Sequence, residues 1–221
     1  MMEHSFMLSG ILKYTPDKVR TNNWGDSVMY SVTLNIQPDV VENLSLPNGF
    51  SNNSFQLTGF YSLKKNEIPF YLKEGNKLLI HGNLNSKAKH SGEPFDSSSV
   101  NIKTVNLINT QGNINICQGI GIVDKSLVGK LGVLYLVKEK KKKVGNAQGD
   151  PGYRFYTVYS PNTSIVIPVE KQIVFAGRVV RGVFKDGIVD FEKKSLKASE
   201  DKYHPFMSPI FYADSIMGYV Q

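Results

Sequence analysis

The chain has 221 residues, 41% hydrophobic and 11% aromatic, which is enough for one large domain or two of about 100 residues and excludes a disordered protein. No apolar run nears the ~20 residues of a membrane span, Cys117 is alone and excludes an internal disulfide, and Met1-Met2-Glu3-His4 lacks the basic and apolar blocks of a signal peptide, so a soluble cytoplasmic protein is expected. The formal net charge of +7 is uneven: residues 1–110 hold 10 Lys/Arg against 9 Asp/Glu and residues 111–221 hold 16 against 10, much of it in the run Lys138 to Lys143. Such a surplus suits an acidic partner without requiring one.

In chain order, Ser5 to Tyr14, Ser27 to Gln37, Ser54 to Ser62, Lys77 to Leu84 and Val100 to Ile108 are short runs rich in β-branched and aromatic residues, and predict strands. Turn-rich stretches separate them, among them Thr21 to Asp26 and Pro47 to Asn53. Leu63 to Glu74 predicts a short helix ending at Gly75, with Pro69 shortening or kinking it. Three strands, a helix and two strands are the element order of an OB barrel. A polar stretch at Asn109 to Asn113 predicts a boundary, giving domains 1–110 and 111–221. Strand signals then resume at Ile114 to Val123, Gly132 to Val137, Tyr153 to Ser160, Lys171 to Arg181 and Pro209 to Met217, with hairpin chemistry at Asp186-Gly187. The halves also echo each other. Phe55 and Tyr61 match Tyr153 and Tyr159 at a spacing of 98, and Lys77 to Gly82 matches Gln172 to Gly177 at a spacing of 95. The expectation is an all-β chain of two tandem five-stranded Greek-key OB barrels, with a short helix between the third and fourth strands of the first.

Leu8 to Leu12, Thr15 to Arg20, Tyr30 to Asn35, Phe55 to Ser62, Phe70 to Lys77 and Ile80 to Leu84 follow one another in an order that resembles the bacterial single-stranded DNA-binding protein family. The resemblance covers about residues 5–108. In the second half it is weaker and rests on Tyr153 to Ser160 and Ile173 to Val180. It implies OB folds that bind single-stranded DNA without sequence preference, in replication, repair and recombination. Because the family often works as four OB folds, two per chain imply a homodimer. The chain departs from the family pattern at Lys89-His90, where an aromatic is usual, and in ending at Ile216 to Gln221 without an acidic tip. Recruitment of partner enzymes by such a tail is therefore not expected.

Binding a single strand needs flat faces for bases and cations for phosphates. The resemblance carries stacking positions onto Phe55 and Tyr61, and the repeat carries them onto Tyr153 and Tyr159. On a strand, Phe55, Leu57, Gly59 and Tyr61 share one face and Gln56, Thr58 and Phe60 the other; periodicity leaves open which is inside. Trp24 is either an exposed loop platform or folded back over the barrel. Lys140, Lys141, Lys142 and Lys143 form a basic arm, with Arg154, Arg178, Arg181, Lys64, Lys65, Lys87 and Lys89 extending a phosphate track. Solvated surface and core packing are the plainer readings of these lysines and aromatics.

No catalytic set emerges. Gly119 to Ser126 approaches a phosphate-binding loop, but Asp124 stands where glycine is needed. His4, His81, His90 and His204 are scattered, and Asp186, Asp190 and Glu192 read as a turn and a solvent face rather than a metal site. No enzyme activity, metal or cofactor is expected. The partner expected is single-stranded DNA, with RNA binding or an OB-fold protein–protein module as alternatives.

Overall fold

A computed structural model describes residues 4–24, 27–39, 50–51, 56–86, 98–109, 111–129, 132–141, 152–182 and 208–218. The Asp186-Gly187 hairpin expectation lies outside them. The described elements are β1 (Ser5–Leu12), β2 (Arg20–Trp24), β3 (Ser27–Pro38), β4 (Phe50–Ser51), β5 (Leu57–Leu63), β6 (Lys77–Ser86), β7 (Ser98–Leu107), β8 (Asn115–Gly129), β9 (Gly132–Lys140), β10 (Tyr153–Ser160), β11 (Gln172–Gly182) and β12 (Ser208–Gly218).

In the first half, β1 pairs with β3, β3 with β5, β5 with β7, β7 with β6, and β6 with β1 again. All are antiparallel except β5–β7, so the five strands close into a barrel of OB type. Alternate residues point inward, as a two-residue period requires: Phe6, Leu8, Leu12, Val32, Leu34, Ile36, Leu57, Ile80, Val100 and Ile102 are all buried. Strands β8 to β12 pair in the same order, β8–β9–β10–β12–β11 and back to β8, with β10–β12 parallel. This second ring encloses Val123, Tyr135, Val137, Tyr156, Val158, Phe175 and Phe211.

The rings share backbone. One edge of β1 pairs with β8 over Ser5 to Leu8 and then with β3 from Gly10 onward. A Cβ on Gly10 would sit 2.5 Å from the Gln37 carbonyl oxygen, so only glycine fits where β1 changes partner. Ser86 of β6 pairs with Phe155, and β4 pairs with Arg181 and Gly182. Buried His4 ties the same junction. Its Nδ1 lies 2.6 Å from Glu139 Oε2, its Nε2 lies 2.7 Å from the Leu84 carbonyl, and its ring stacks on Tyr156 at 3.9 Å.

Both rings carry a β-bulge at matching places. One falls between His81 and Gly82, leaving Lys103 unopposed on β7; the other falls between Ala176 and Gly177, leaving Asp214 unopposed on β12. The spacing of 95 read from the sequence therefore holds in three dimensions along β6 and β11. It also relates Leu72 to Ile167, each buried in the core.

Three expectations are corrected. Residues 64–76 form turns and no helix, with single backbone bonds from the Leu72 N–H to the Pro69 carbonyl and from the Asn76 N–H to the Lys73 carbonyl. Pro69 lacks a donor and pushes Ile68 out of helical geometry, which breaks the segment in two. Gly75 reverses the chain at φ 84°. The stretch from Thr21, expected as turn, instead joins β2, paired with β3 from Arg20 opposite Ser31 to Trp24 opposite Ser27. The spacing of 98 along β5 and β10 fails. Inward Gly59 pairs with Val100, and inward Val158 pairs with Phe211 at the same station, which makes the true spacing 99. A one-residue slip exchanges the faces.

Candidate nucleic-acid interface

Across the first barrel, β2, β3 and β5 present an outward face made of Arg20, Ser31, Thr33, Asn35, Thr58, Phe60 and Ser62. It is largely short and polar, and Thr58 donates a hydrogen bond to Asn35 Oδ1 at 2.9 Å. Phe60 stands out from it, opposite Thr33 and 45% exposed. The Arg20 guanidinium lies 5.7 Å from the centre of the Phe60 ring. The register causes this: Arg20 is opposite Ser31, which is opposite Ser62, two residues from Phe60 on the same face.

Tyr61, its neighbour, belongs to the inward set with Leu57 and Gly59 and packs half-buried against the core. It is no open platform. Its hydroxyl lies 3.4 Å from that of Tyr71, at a cleft that Lys64, Lys65 and Lys103 also line. Phe55, Lys87, Lys89, Lys142 and Lys143 lie outside the described residues. Trp24 closes β2, and its side chain lies outside what the structure describes.

On the second ring, the outward face of β9 and β10 carries Lys138, Lys140, Tyr153 and Phe155. Tyr153 is 43% exposed, with the Lys138 ammonium 5.8 Å from its ring centre. Lys138 also contacts Asp124, at 3.2 Å, and Glu170. Its hydrogen bond to Glu170 chiefly raises its pKa, so the charge is both fixed and compensated. Lys140 and Lys141 are exposed at the foot of the basic run, and Arg154 is half-buried opposite Glu139.

Tyr159 is corrected. It is fully buried beside Tyr212, with ring centres 5.6 Å apart, and burial followed by Tyr212 pushes its hydroxyl up to about 12. A ring with no exposed face cannot stack on a base. Arg178 and Arg181 sit on β11, which is not adjacent to β10. Arg178 donates to Asp214 Oδ2 at 3.1 Å, and Arg181 is half-buried with its Nε unpartnered and its pKa lowered by burial. Neither joins the track from Tyr153 to Lys141. Sequence reasoning missed Phe60, Arg20, Tyr71 and Lys103. Alternation already set Phe60 apart from Tyr61, but only barrel closure shows which of the two faces out.

Among the described residues no three His, Cys, Asp or Glu side chains gather as metal ligands. Cys117 is buried, and its thiol is pushed up first by burial and then by Asp214. No helix among the described residues is long and apolar enough to cross a membrane.

No protein-family model and no curated protein sequence matches this chain. Solved structures do. The chain is similar to the wild-type single-stranded DNA binding protein of Thermus aquaticus, with a TM-score of 0.59 at 11% identity, covering 100% of this chain and 94% of that one. It is also similar to a deletion mutant of that protein, with a TM-score of 0.52 at 9% identity, covering 100% and 96%. At such identity the likeness shows the fold, an OB-fold of the kind seen in single-stranded DNA-binding proteins.

Proposed function

We propose that this chain binds single-stranded DNA without catalysis and without sequence preference, as two tandem OB barrels spanning 1–110 and 111–221. The observation that carries the reading is Phe60, exposed with Arg20 on the outward face of β2, β3 and β5. A base stacked on this ring frees Arg20 for the adjoining phosphate, which joins the two elements single-strand binding requires. Stacking on an aromatic ring depends little on which base is stacked, which suits binding without sequence preference. Tyr153 with Lys140 and Lys141 supplies a second, weaker contact, and a homodimer would present four barrels. The likeness to the Thermus aquaticus structures supports the same reading.

Titration of labelled oligo-dT, oligo-U and duplex DNA at two salt concentrations tests it. Oligo-dT is expected to bind more tightly than duplex, and Phe60→Ala to weaken it about tenfold through the lost stacking. Equal affinity for duplex, or an unchanged Phe60→Ala protein, overturns the reading. Tighter binding to oligo-U assigns the face to RNA.

A further inference from the structure

Beside the turn from β5 to β6 a cleft of about 520 Å³ opens between Tyr61, Lys64, Lys65, Glu67, Tyr71 and Lys103. Among the described residues, exposed Lys64 and Lys65 bring two cations to this lining beside Glu67, a setting that suits an anion of low charge. Lys103 is present because the bulge opposite His81 and Gly82 leaves it unopposed; bulges re-aim side chains in this way. The two phenols lie 3.4 Å apart, and one hydrogen bond between them uses only one of their two hydroxyl protons. Burial, and then the bond to Tyr61, pushes Tyr71 up to about 12, so it remains a donor at neutral pH. Phe70 follows Pro69 of the cleft wall, 89% exposed, with its ring set edge-on to Tyr71 at 5.8 Å. A cationic cleft with two phenols and an open ring beside it matches a phosphate and its adjoining base.

We propose that this cleft holds a phosphodiester of the bound single strand, with the neighbouring base stacked on Phe70. It is a second contact on the first barrel, distinct from Phe60, and it rests on the single-strand reading above. The backbone phosphate is recognised by Lys64 and Lys65, and the phenols orient its oxygens.

Lysine acetylation of the intact chain, read by mass spectrometry with and without saturating oligo-dT, tests it directly. Modification of Lys64 and Lys65 is expected to slow about fivefold relative to exposed Lys13 and Lys125, as ammonium groups seated on phosphate are withdrawn. Lys64→Ala/Lys65→Ala is expected to lower the slope of log affinity against log salt by about 0.7, the value for one phosphate contact on a single strand. Phe70→Ala is expected to weaken binding about tenfold. Binding of oligo-dT with Lys64 and Lys65 unprotected overturns the cleft and leaves the Phe60 reading standing. Failure of oligo-dT to bind overturns both. Protection by dTMP equal to that by oligo-dT assigns the cleft to a free nucleotide, and also overturns the proposal.

Discussion

Arg20 lies over Phe60 much as Lys138 lies over Tyr153, but the two cations are not equivalent. Lys138 is held by Asp124 and Glu170, whereas no carboxylate among the described residues pairs with Arg20. A cation already neutralised releases few counterions when it meets a phosphate. Arg20→Ala should therefore reduce the salt slope of oligo-dT binding by about 0.7, and Lys138→Ala should leave it nearly unchanged. Salt titrations of both variants check this; equal losses would show that Lys138 exchanges its carboxylates for the strand. At the ring junction the critical residue is Glu139. Burial would raise its pKa, but the hydrogen bonds and charge of His4, aided by Arg154, hold it below the usual carboxylate range. A depressed folded pKa contributes stability that is full above the unfolded value of about 4.3 and lost as pH falls through the folded one. Glu139→Ala leaves His4 buried without its partner and should destabilise the fold by about 3 kcal/mol at neutral pH. Urea denaturation measures this, and the difference from the parent protein should shrink as the solution is acidified below about pH 4.

At the scale of elements, the paired bulges are the most informative feature. Gly82 packs against the Asn101 carbonyl and Gly177 against that of Tyr212, so closely that an added Cβ would collide with backbone. Backbone cannot swing aside as a long side chain can. Gly82→Ala and Gly177→Ala should each cost about 3 kcal/mol, whereas Gly112→Ala, with open space around it, should be nearly neutral. Thermal melts of the three variants compare them; a mild Gly177→Ala would mean the bulge relaxes. The segment from Lys64 to Asn76 carries the opposite lesson. Its residues tolerate helix on average, but Pro69 sits where a helix needs a continuous run of donors. Two turns still deliver Leu72 to the barrel, as the shorter second linker delivers Ile167. Leu72 reaches the core without a helix to carry it.

Across the whole molecule, one hydrophobic cluster runs through both rings, from Phe6 and Leu34 to Val179 and Phe211. With β1 paired to β8 and His4 bridging Leu84 and Glu139, neither ring can open without exposing the other's surface. Unfolding should be a single cooperative transition, with calorimetric and van't Hoff enthalpies equal. Two resolved transitions would show the rings to be independent.

Most strand positions, though not β2, and the matching glycines Gly82 and Gly177 were legible in the sequence, because local β-propensity and turn chemistry act over a few residues. The exposed ring was not. Phe60 and Tyr61 are adjacent and both aromatic, and a period of two separates them without saying which is outside. Ring closure decides that, through the parallel pairing of β5 with β7, which directs Gly59 and Tyr61 inward and leaves Phe60 on the surface. The same holds for Tyr153 and Tyr159, alike in sequence and on one face of β10, of which only Tyr153 reaches solvent. The contact of Arg20 with Phe60, and the meeting of Lys103 with Tyr61 and Tyr71 at one cleft, join residues far apart in the chain and arise from register and a bulge. By itself the sequence determined an all-β chain; the tertiary structure decided which aromatics face water, because inside and outside exist only once the strands have closed.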